Sequence, residues 1–513
     1  MTVRMLQYWN GYSPDAIVTG LSNEAALIAA GYATTDIDGA NDGRIDDAKL
    51  RTNADGSVAL LNGSFPSIII PRRAEQFGVV PNGVALYDAS TTNSTTCVVT
   101  SASGAFTSAD VGKCCAVHTR VSTAALSAAR YGFITFVQSP TQCTATLNAA
   151  PGTLTNAMFV YGTDNAVTLQ AAIDAALASK DKILKLPHGI ICSSVGLTAN
   201  GNIVMEGAGR SYTEKEWYDF DYAGSNIVVC GYNATAAFYA GGNTTGPRLY
   251  GFNVDAMGIS TNSLRLNGRA AHCSDLTVLK PAGGGGNSYA LLMGSGSMVD
   301  HCTIIGGYNC NPVATNGDSQ LTHCNIYGAG SGYNAIKCSG SSDIIIADNH
   351  VWAPGTGLFN AGSILIEAWV TSQDMDSISI HGNQFDTAKN APHIQISVLA
   401  GCSLRGVNIQ GNNSFNNDTV TTPYPWLDID VNATGFIRGL MVQNNMVEGS
   451  WQTPASGVHS YLIDGAGLAG GHHGSIVSGN FIDRPSGGNY NSFTPTHTGG
   501  NIRVDNAGTA TVF

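Results

Sequence analysis

The chain has 513 residues and a net charge of −12, with 12% charged residues, 43% hydrophobic residues and 62 glycines. The acidic balance excludes the basic stripe with which proteins follow nucleic-acid phosphates, and no apolar run is long enough to cross a membrane. The hydrophobic share is too high for a disordered chain. Few charges and many turn-forming residues favour an all-β repeat protein with a long, thin core.

The first ten residues lack the apolar segment of a signal peptide, which predicts folding in a reducing cytoplasm. The 12 cysteines form no C-x-x-C pair, and Cys114 and Cys115 are adjacent and poorly placed to bridge each other. We therefore expect the cysteines to be small buried apolar residues without disulfides. We also expect no metal site and no cofactor.

Residues 1–75 are predicted to form a separate N-terminal module. Ser22 can cap a short helix over 23–30 that Gly31 ends. The acidic stretch 36–43 is rich in turn formers but lacks the later glutamate of a calcium-binding loop, which favours a solvated turn.

Residues 76–160 alternate Thr, Val and Ser with turns, which predicts a small β module. Its predicted strands cover 95–101, 114–121, 132–138 and 143–147.

A helix with one apolar face is predicted next, over 167–178, with Asp164 as its cap. The apolar residues recur at helical spacing, as Leu169, Ile173, Ala176 and Leu177. A strand over 183–186 and the stop Pro187-His188-Gly189 follow. This order resembles the start of the pectate-lyase-like β-helix superfamily, in which such a helix covers the open end of the solenoid.

From about residue 183 a repeat of residue-x-aliphatic marks successive strand starts. The triplets begin at Cys302, Cys324, Asn349, Asn383, Asn413, Asn445 and Asn480. Their separations of 22 to 35 residues fit one coil each, and stacked asparagines can form a polar ladder. We therefore predict an all-β, right-handed parallel β-helix over 161–484, followed by a C-terminal tail or cap over 485–513.

Two segments, 7–14 with the following helix and 105–113, resemble bacteriophage tailspikes and tail fibres. The resemblance implies a homotrimer in the phage tail, attached through its N-terminal module to tail or baseplate proteins. It also implies binding and endo-glycosidic hydrolysis of a bacterial capsule or O-antigen polysaccharide. Two alternatives stay open: a non-enzymatic receptor-binding or structural spike, and a pectate-type polysaccharide lyase.

Glu367, Asp428 and Asp430 stand out as candidate catalytic residues because alternation turns them outwards. Glu367 and Asp430 lie two coils apart in one column, roughly 9.5 Å by the backbone, and Asp428 and Asp430 are about 6.7 Å apart along their strand. Inverting glycosidases hold their two carboxyls about 6.5–9.5 Å apart. We expect Glu367 to be the general acid, since nearby carboxylates favour its protonated form, and Asp430 the base. Asp464 continues the column as a bystander.

Trp369, Trp426, Trp352 and Gln395 are the candidate substrate-binding residues around this column, since exposed indoles offer flat apolar surface to sugar rings. The non-functional alternative is that the outward residues are only solvated and that the tryptophans pack under loops.

A competing column contains Glu448 and Asp483, one coil apart at roughly 4.8 Å, near the about 5–5.5 Å of retaining enzymes. A cleft between subunits is a further possibility. His301 and His323 precede inward cysteines, so we expect structural stacking there rather than a shared metal ion.

Overall fold

The computed structural model describes most of the chain from residue 71 onwards, and three short strands before it. The described ranges are 71–119, 129–211, 220–242, 246–279, 288–306, 310–328, 333–340, 342–352, 362–369, 374–386, 391–415, 425–448 and 462–483, with 490–491, 493–495, 497–499, 502–504 and 510–512. The chain divides into two compact units, residues 1–72 with 178–183, and residues 73–177 with 184–513.

The first unit contains a small antiparallel sheet in the predicted N-terminal module. The strands Thr2–Met5, Ile17–Thr19 and Ala33–Thr34 form it, with Thr2–Met5 in the middle. The predicted helix over 23–30 and the acidic turn over 36–43 lie outside the described residues.

The second unit begins with a closed six-stranded β-barrel. Two 3-10 helices, Ala74–Phe77 and Ser108–Asp110, accompany its strands Val84–Thr91, Thr96–Thr100, Cys114–His118, Arg130–Ser139, Gln142–Leu147 and Leu154–Gly162. The sequence predicts four of these strands and misses the first and last, which pair with each other and close the barrel. Phe106, Phe159 and Tyr161 pack together in its core.

A single α-helix, Ala166–Ala178, follows the barrel in the described part of the chain and covers the first coil of the solenoid. Its buried residues Leu169 and Ile173 belong to the same core cluster as Leu197 of that coil. The Asp164 carboxylate accepts a hydrogen bond from the first helical N–H, at Ala166, as the sequence predicts.

Three long parallel sheets form the rest of the second unit, so the predicted parallel β-helix is confirmed. Sheet A contains the strands Arg72–Arg73, Ile183–Lys185, Val204–Glu206, Arg248–Tyr250, His272–Ser274, Met298–Asp300, Ser319–Thr322, Ile344–Ala347, Asp374–His381, Ser403–Gln410, Phe436–Gln443, Gly471–His473, Ile476–Ser478 and His497–Gly499. Sheet B contains the strands Gly189–Ser193, Ser225–Val229, Phe252–Asp255, Thr277–Leu279, Thr303–Ile305, Asn325–Tyr327, His350–Trp352, Gln384–Asp386, Asn413–Phe415, Met446–Glu448, Phe481–Asp483, Ile502–Val504 and Ala510–Val512. Sheet C contains the strands Leu197–Asn200, Phe238–Gly241, Asn262–Asn267, Tyr289–Met293, Asn311–Thr315, Asn334–Ser339, Gly362–Ala368, Ile394–Val398, Leu427–Val431, Ile463–Leu468 and Tyr490–Asn491.

Each sheet buries every second residue because side chains alternate along a strand. In sheet C, Ile366 pairs with Ile396, which pairs with Ile429, and all three side chains are fully buried. Stacks of this kind merge into one continuous core along the solenoid. Each coil can bury its apolar face only against its neighbours, so the coils stabilise one another.

The predicted asparagine ladder is present between sheets A and B, with one register correction. Asn383 donates from its backbone N–H and its side-chain amide to Oδ1 of Asn412, not Asn413, at 3.1 and 3.0 Å. Asn412 donates in the same way to Asn445. The residue before each ladder position has a left-handed backbone, at Gly411 with φ +63°, so Gly411-Asn412 is the true repeat and Asn413 begins the strand, exposed.

The solenoid also continues beyond its predicted end at residue 484. The strands Tyr490–Asn491, His497–Gly499 and Ile502–Val504 add to sheets C, A and B in turn. The strand Ala510–Val512 then pairs antiparallel with Ile502–Val504 and covers the edge of sheet B. Among the described residues, no helix has the length and apolarity that a membrane crossing requires.

Candidate functional site

The outward face of sheet C carries the predicted column of carboxylates in the predicted register. Glu367 pairs with Ser397, which pairs with Asp430. One position earlier on the same face, Asp428 pairs with Asp464 of the next coil. Four acidic residues of three coils therefore share one face of the sheet.

Asp428 is the carboxyl whose protonation the surroundings alter. Partial burial, followed by the negative charges of Asp464 and Asp430, raises the pKa of Asp428 from 3.8 to about 6. The side-chain amide of Gln395, from the preceding coil, donates a weak hydrogen bond of 3.4 Å to Oδ2 of Asp428 and opposes this shift. Asp430 is exposed.

Glu367 has a different environment from the one expected of a proton donor. The ammonium Nζ of Lys337, from the preceding coil, lies 3.0 Å from Oε2 of Glu367, and both side chains are partly buried. This ion pair engages the carboxylate that the sequence pattern selects as the general acid. The burial and the like charges that favour a protonated carboxyl are at Asp428 instead.

Of the three candidate tryptophans, Trp369 fits a sugar-binding surface best. It is 53% exposed, and it follows the strand Gly362–Ala368 two residues after Glu367, so it lies on the same side of the sheet.

Trp426 is fully buried, and its predicted place in an exposed groove is wrong. Its indole N–H donates to the hydroxyl of Ser414. The inward position of Ser414 corresponds to Phe385 in the preceding coil, so a small side chain stands where that coil has a large one. The indole turns into the core beside it.

Trp352 lies on sheet B rather than beside the carboxylates of sheet C. It is partly buried, and its ring packs edge-to-face on Tyr327 of the preceding coil, with ring centroids 5.3 Å apart. The structure therefore does not bring Trp352 to the face that carries Glu367.

The alternative pair Glu448 and Asp483 also lies on sheet B, where the pairing of Val447 with Ile482 sets them in neighbouring coils. In the coil before Glu448 the outward residue is Phe415, not Asn416, because of the register correction at Asn412. Asp386 of the same column is bound to His350, with Oδ2 and Nε2 2.8 Å apart.

His301 and His323 stack as predicted, with ring centroids 4.9 Å apart and the planes 16° from parallel. Each Nδ1 lies within hydrogen-bond distance of one oxygen of Asp300, at 2.6 and 2.8 Å. The carboxylate Asp300 has a pKa lowered to about 2; burial opposes this shift, and the hydrogen bonds from His323 and His301 produce it. Both histidines are more than half exposed.

The sequence pattern places Asp464 in the column but misses its effect on the pKa of Asp428. A Gly-rich stretch follows it, and the pairing slips by one residue between Asp428 and Asp430 in this coil. Its alignment with Gln395 and Asp428 across three successive strands is the signal that identifies it.

No protein-family model matches the sequence, and no curated protein matches it. Similar solved structures include ORF18 of Geobacillus virus E2, with 14% identity and a TM-score of 0.31. The match covers 67% of this chain and 58% of the length of ORF18. They also include the catalytic unit of a GH87 alpha-1,3-glucanase from Streptomyces thermodiastaticus, with 10% identity, 83% and 96% coverage and a TM-score of 0.41. The Gp54 tailspike of Acinetobacter baumannii bacteriophage AP22, in complex with capsular saccharide, has 10% identity, 82% and 67% coverage and a TM-score of 0.33.

Proposed function

We propose that the chain is a phage tailspike that binds a bacterial surface polysaccharide along the outward face of sheet C and cuts it by endo-glycosidic hydrolysis. The observation that carries the proposal is the carboxyl cluster of Asp428, Asp430 and Asp464, in which one member has a pKa raised to about 6. Two carboxyls with separated protonation states are the machinery of glycoside hydrolysis.

Asp428 is the proton donor to the glycosidic oxygen in this proposal, and Asp430 is the base that takes a proton from the attacking water. The two residues are neighbours on one side of a strand, about 6.7 Å apart by the backbone. This separation leaves room for the water between the base and the sugar, which favours inversion at the anomeric carbon. Asp464 acts through Asp428, since its charge helps to keep that carboxyl protonated.

Trp369 supplies an apolar platform for a sugar ring beside the cluster, and Gln395 orients Asp428. Glu367 and its partner Lys337 border the face as an ion pair, which suits hydrogen bonding to sugar hydroxyls better than proton transfer. A groove that binds a long chain needs such polar groups along several coils.

Release of new reducing ends from purified capsular or O-antigen polysaccharide tests the proposal. We expect Asp428→Asn to lower the rate by at least about 100-fold, since general acid catalysis contributes at least that factor. Asp374→Asn is the matched control: this exposed carboxylate lies on sheet A, where it pairs with Arg405, and the rate should not change. Glu367→Gln should retain activity.

The rate should also fall as the pH rises through about 6, because the proton donor is then ionised. Asp464→Asn should move this fall to lower pH. If the polysaccharide binds but no new ends form, the hydrolase is refuted and a non-enzymatic binding spike replaces it. An unsaturated, ultraviolet-absorbing product would instead establish a lyase.

A further inference from the structure

Three cysteines meet at the seam between the barrel and the solenoid. The Sγ atoms of Cys114, Cys192 and Cys230 all lie within 4.8 Å of one another. Their relative exposures are 0%, 0% and 1%. They come from a barrel strand, the first strand of sheet B and the residue after its second strand.

Strand alternation explains why these three side chains converge. Cys115 points into the barrel core, so Cys114 points out of the barrel. Ile191 points into the solenoid core, so Cys192 points out of the solenoid towards the barrel. The same alternation at the end of the next strand turns Cys230 to the seam.

The surroundings of the three sulfurs are buried, apolar and rich in sulfur. The cluster around them includes Met158 and Met257. Backbone packs closely against Cys192, since a Cβ at Gly162 would lie 2.7 Å from its Sγ. Cys114 has a weak contact of 3.5 Å from Sγ to the carbonyl of Gly162. Thiols in such a place have poor hydrogen-bond partners other than one another.

We propose that Cys114, Cys192 and Cys230 bind one thiophilic d10 cation, Cu(I) or Zn(II), through three thiolates. Sulfurs about 2.3 Å from a central ion lie about 3.8–4.0 Å from each other, which is compatible with three sulfurs that all lie within 4.8 Å of one another. Thiolates select these soft ions over Mg²⁺ or Ca²⁺. On binding, each thiol loses its proton to solvent and forms a metal–sulfur bond, so three protons are released for each ion.

The cluster spans two parts of the fold, since Cys114 belongs to the barrel and Cys192 and Cys230 belong to the solenoid. An ion held by one barrel strand and two solenoid coils would join the two parts of this compact unit and resist their separation on heating.

Metal analysis of the full chain tests the proposal without a variant. The protein is produced in medium supplemented with zinc or copper, purified under reducing conditions and analysed by mass spectrometry. We expect about one ion per chain and a lower thermal midpoint after removal of the ion by a chelator. Which supplement gives full occupancy distinguishes Zn(II) from Cu(I).

Cys192→Ala should abolish retention of the ion, whereas Cys143→Ala, a buried cysteine of the barrel core outside the cluster, should retain it. Refolding of the wild-type chain with Cd(II) should give the ultraviolet charge-transfer band of cadmium thiolate. The proposal is overturned if folded wild-type protein holds no ion and shows no such band. It is also overturned if Cys192→Ala retains the ion.

Discussion

Asp428→Asn should make the protein more stable at neutral pH while it removes the proposed proton donor. In the folded chain the pKa of Asp428 is raised from 3.8 to about 6 by burial and by the charges of Asp464 and Asp430. At pH 8 the wild type must therefore ionise a carboxyl in a place that disfavours charge. Asparagine has nearly the same shape and never ionises, so the variant avoids that cost.

The sign and size follow from proton linkage. Because the folded-state pKa is the higher one, the stability that Asp428 contributes is fully present below about pH 3.8 and is lost as the pH rises through about 6. A shift of about two units corresponds to roughly 3 kcal/mol, an upper bound because solvent screens a partly exposed group. The advantage of Asp428→Asn should therefore be near zero at pH 3.5, grow between pH 4 and 6, and stay constant above pH 7.

Thermal unfolding of both proteins across this pH range is the assay. We expect the midpoint of Asp428→Asn to exceed that of the wild type by a few degrees at pH 8 and to equal it at pH 3.5. Asp430→Asn is the matched control, since its carboxylate is exposed on the same strand, and it should show a smaller gain. An equal gain at both pH values, or none at pH 8, would refute the reasoning from the buried charge.

Two further predictions test the corrected positions of residues in the solenoid. Asn412→Ala should lower the free energy of unfolding by about 2–4 kcal/mol, because buried groups of neighbouring coils lose their hydrogen-bond partners. Asn413→Ala, the control, should change it by less than about 0.5 kcal/mol. Equal losses for the two variants in denaturant unfolding would contradict the ladder register. Trp426→Ala should lower the free energy of unfolding by about 3–5 kcal/mol. Trp369→Ala should leave stability unchanged and weaken polysaccharide binding roughly tenfold. Calorimetry and a binding titration measure the two effects, and a loss of stability in Trp369→Ala with none in Trp426→Ala would contradict the assignment.

The sequence determined those features that depend on a repeating pattern of residues within one helix or strand. Alternation along single strands placed Glu367, Ser397 and Asp430 in one outward column, and the structure has the same register. The helix Ala166–Ala178 followed from apolar spacing within 13 residues. Even the misplaced ladder residue had a local signal, since Gly411 before Asn412 matches the glycine that precedes Asn383.

The tertiary structure decided what depends on contacts between coils. Lys337 is 30 residues from Glu367 in the chain, and neither strand pattern indicates their ion pair. Asp464 affects Asp428 only because two coils of different length stack with their strands in register. The burial of a carboxyl is a property of the loops and strands around it, whereas alternation indicates only the direction of its side chain. The outward face was therefore readable from the sequence, whereas the raised pKa of Asp428 on that face was not.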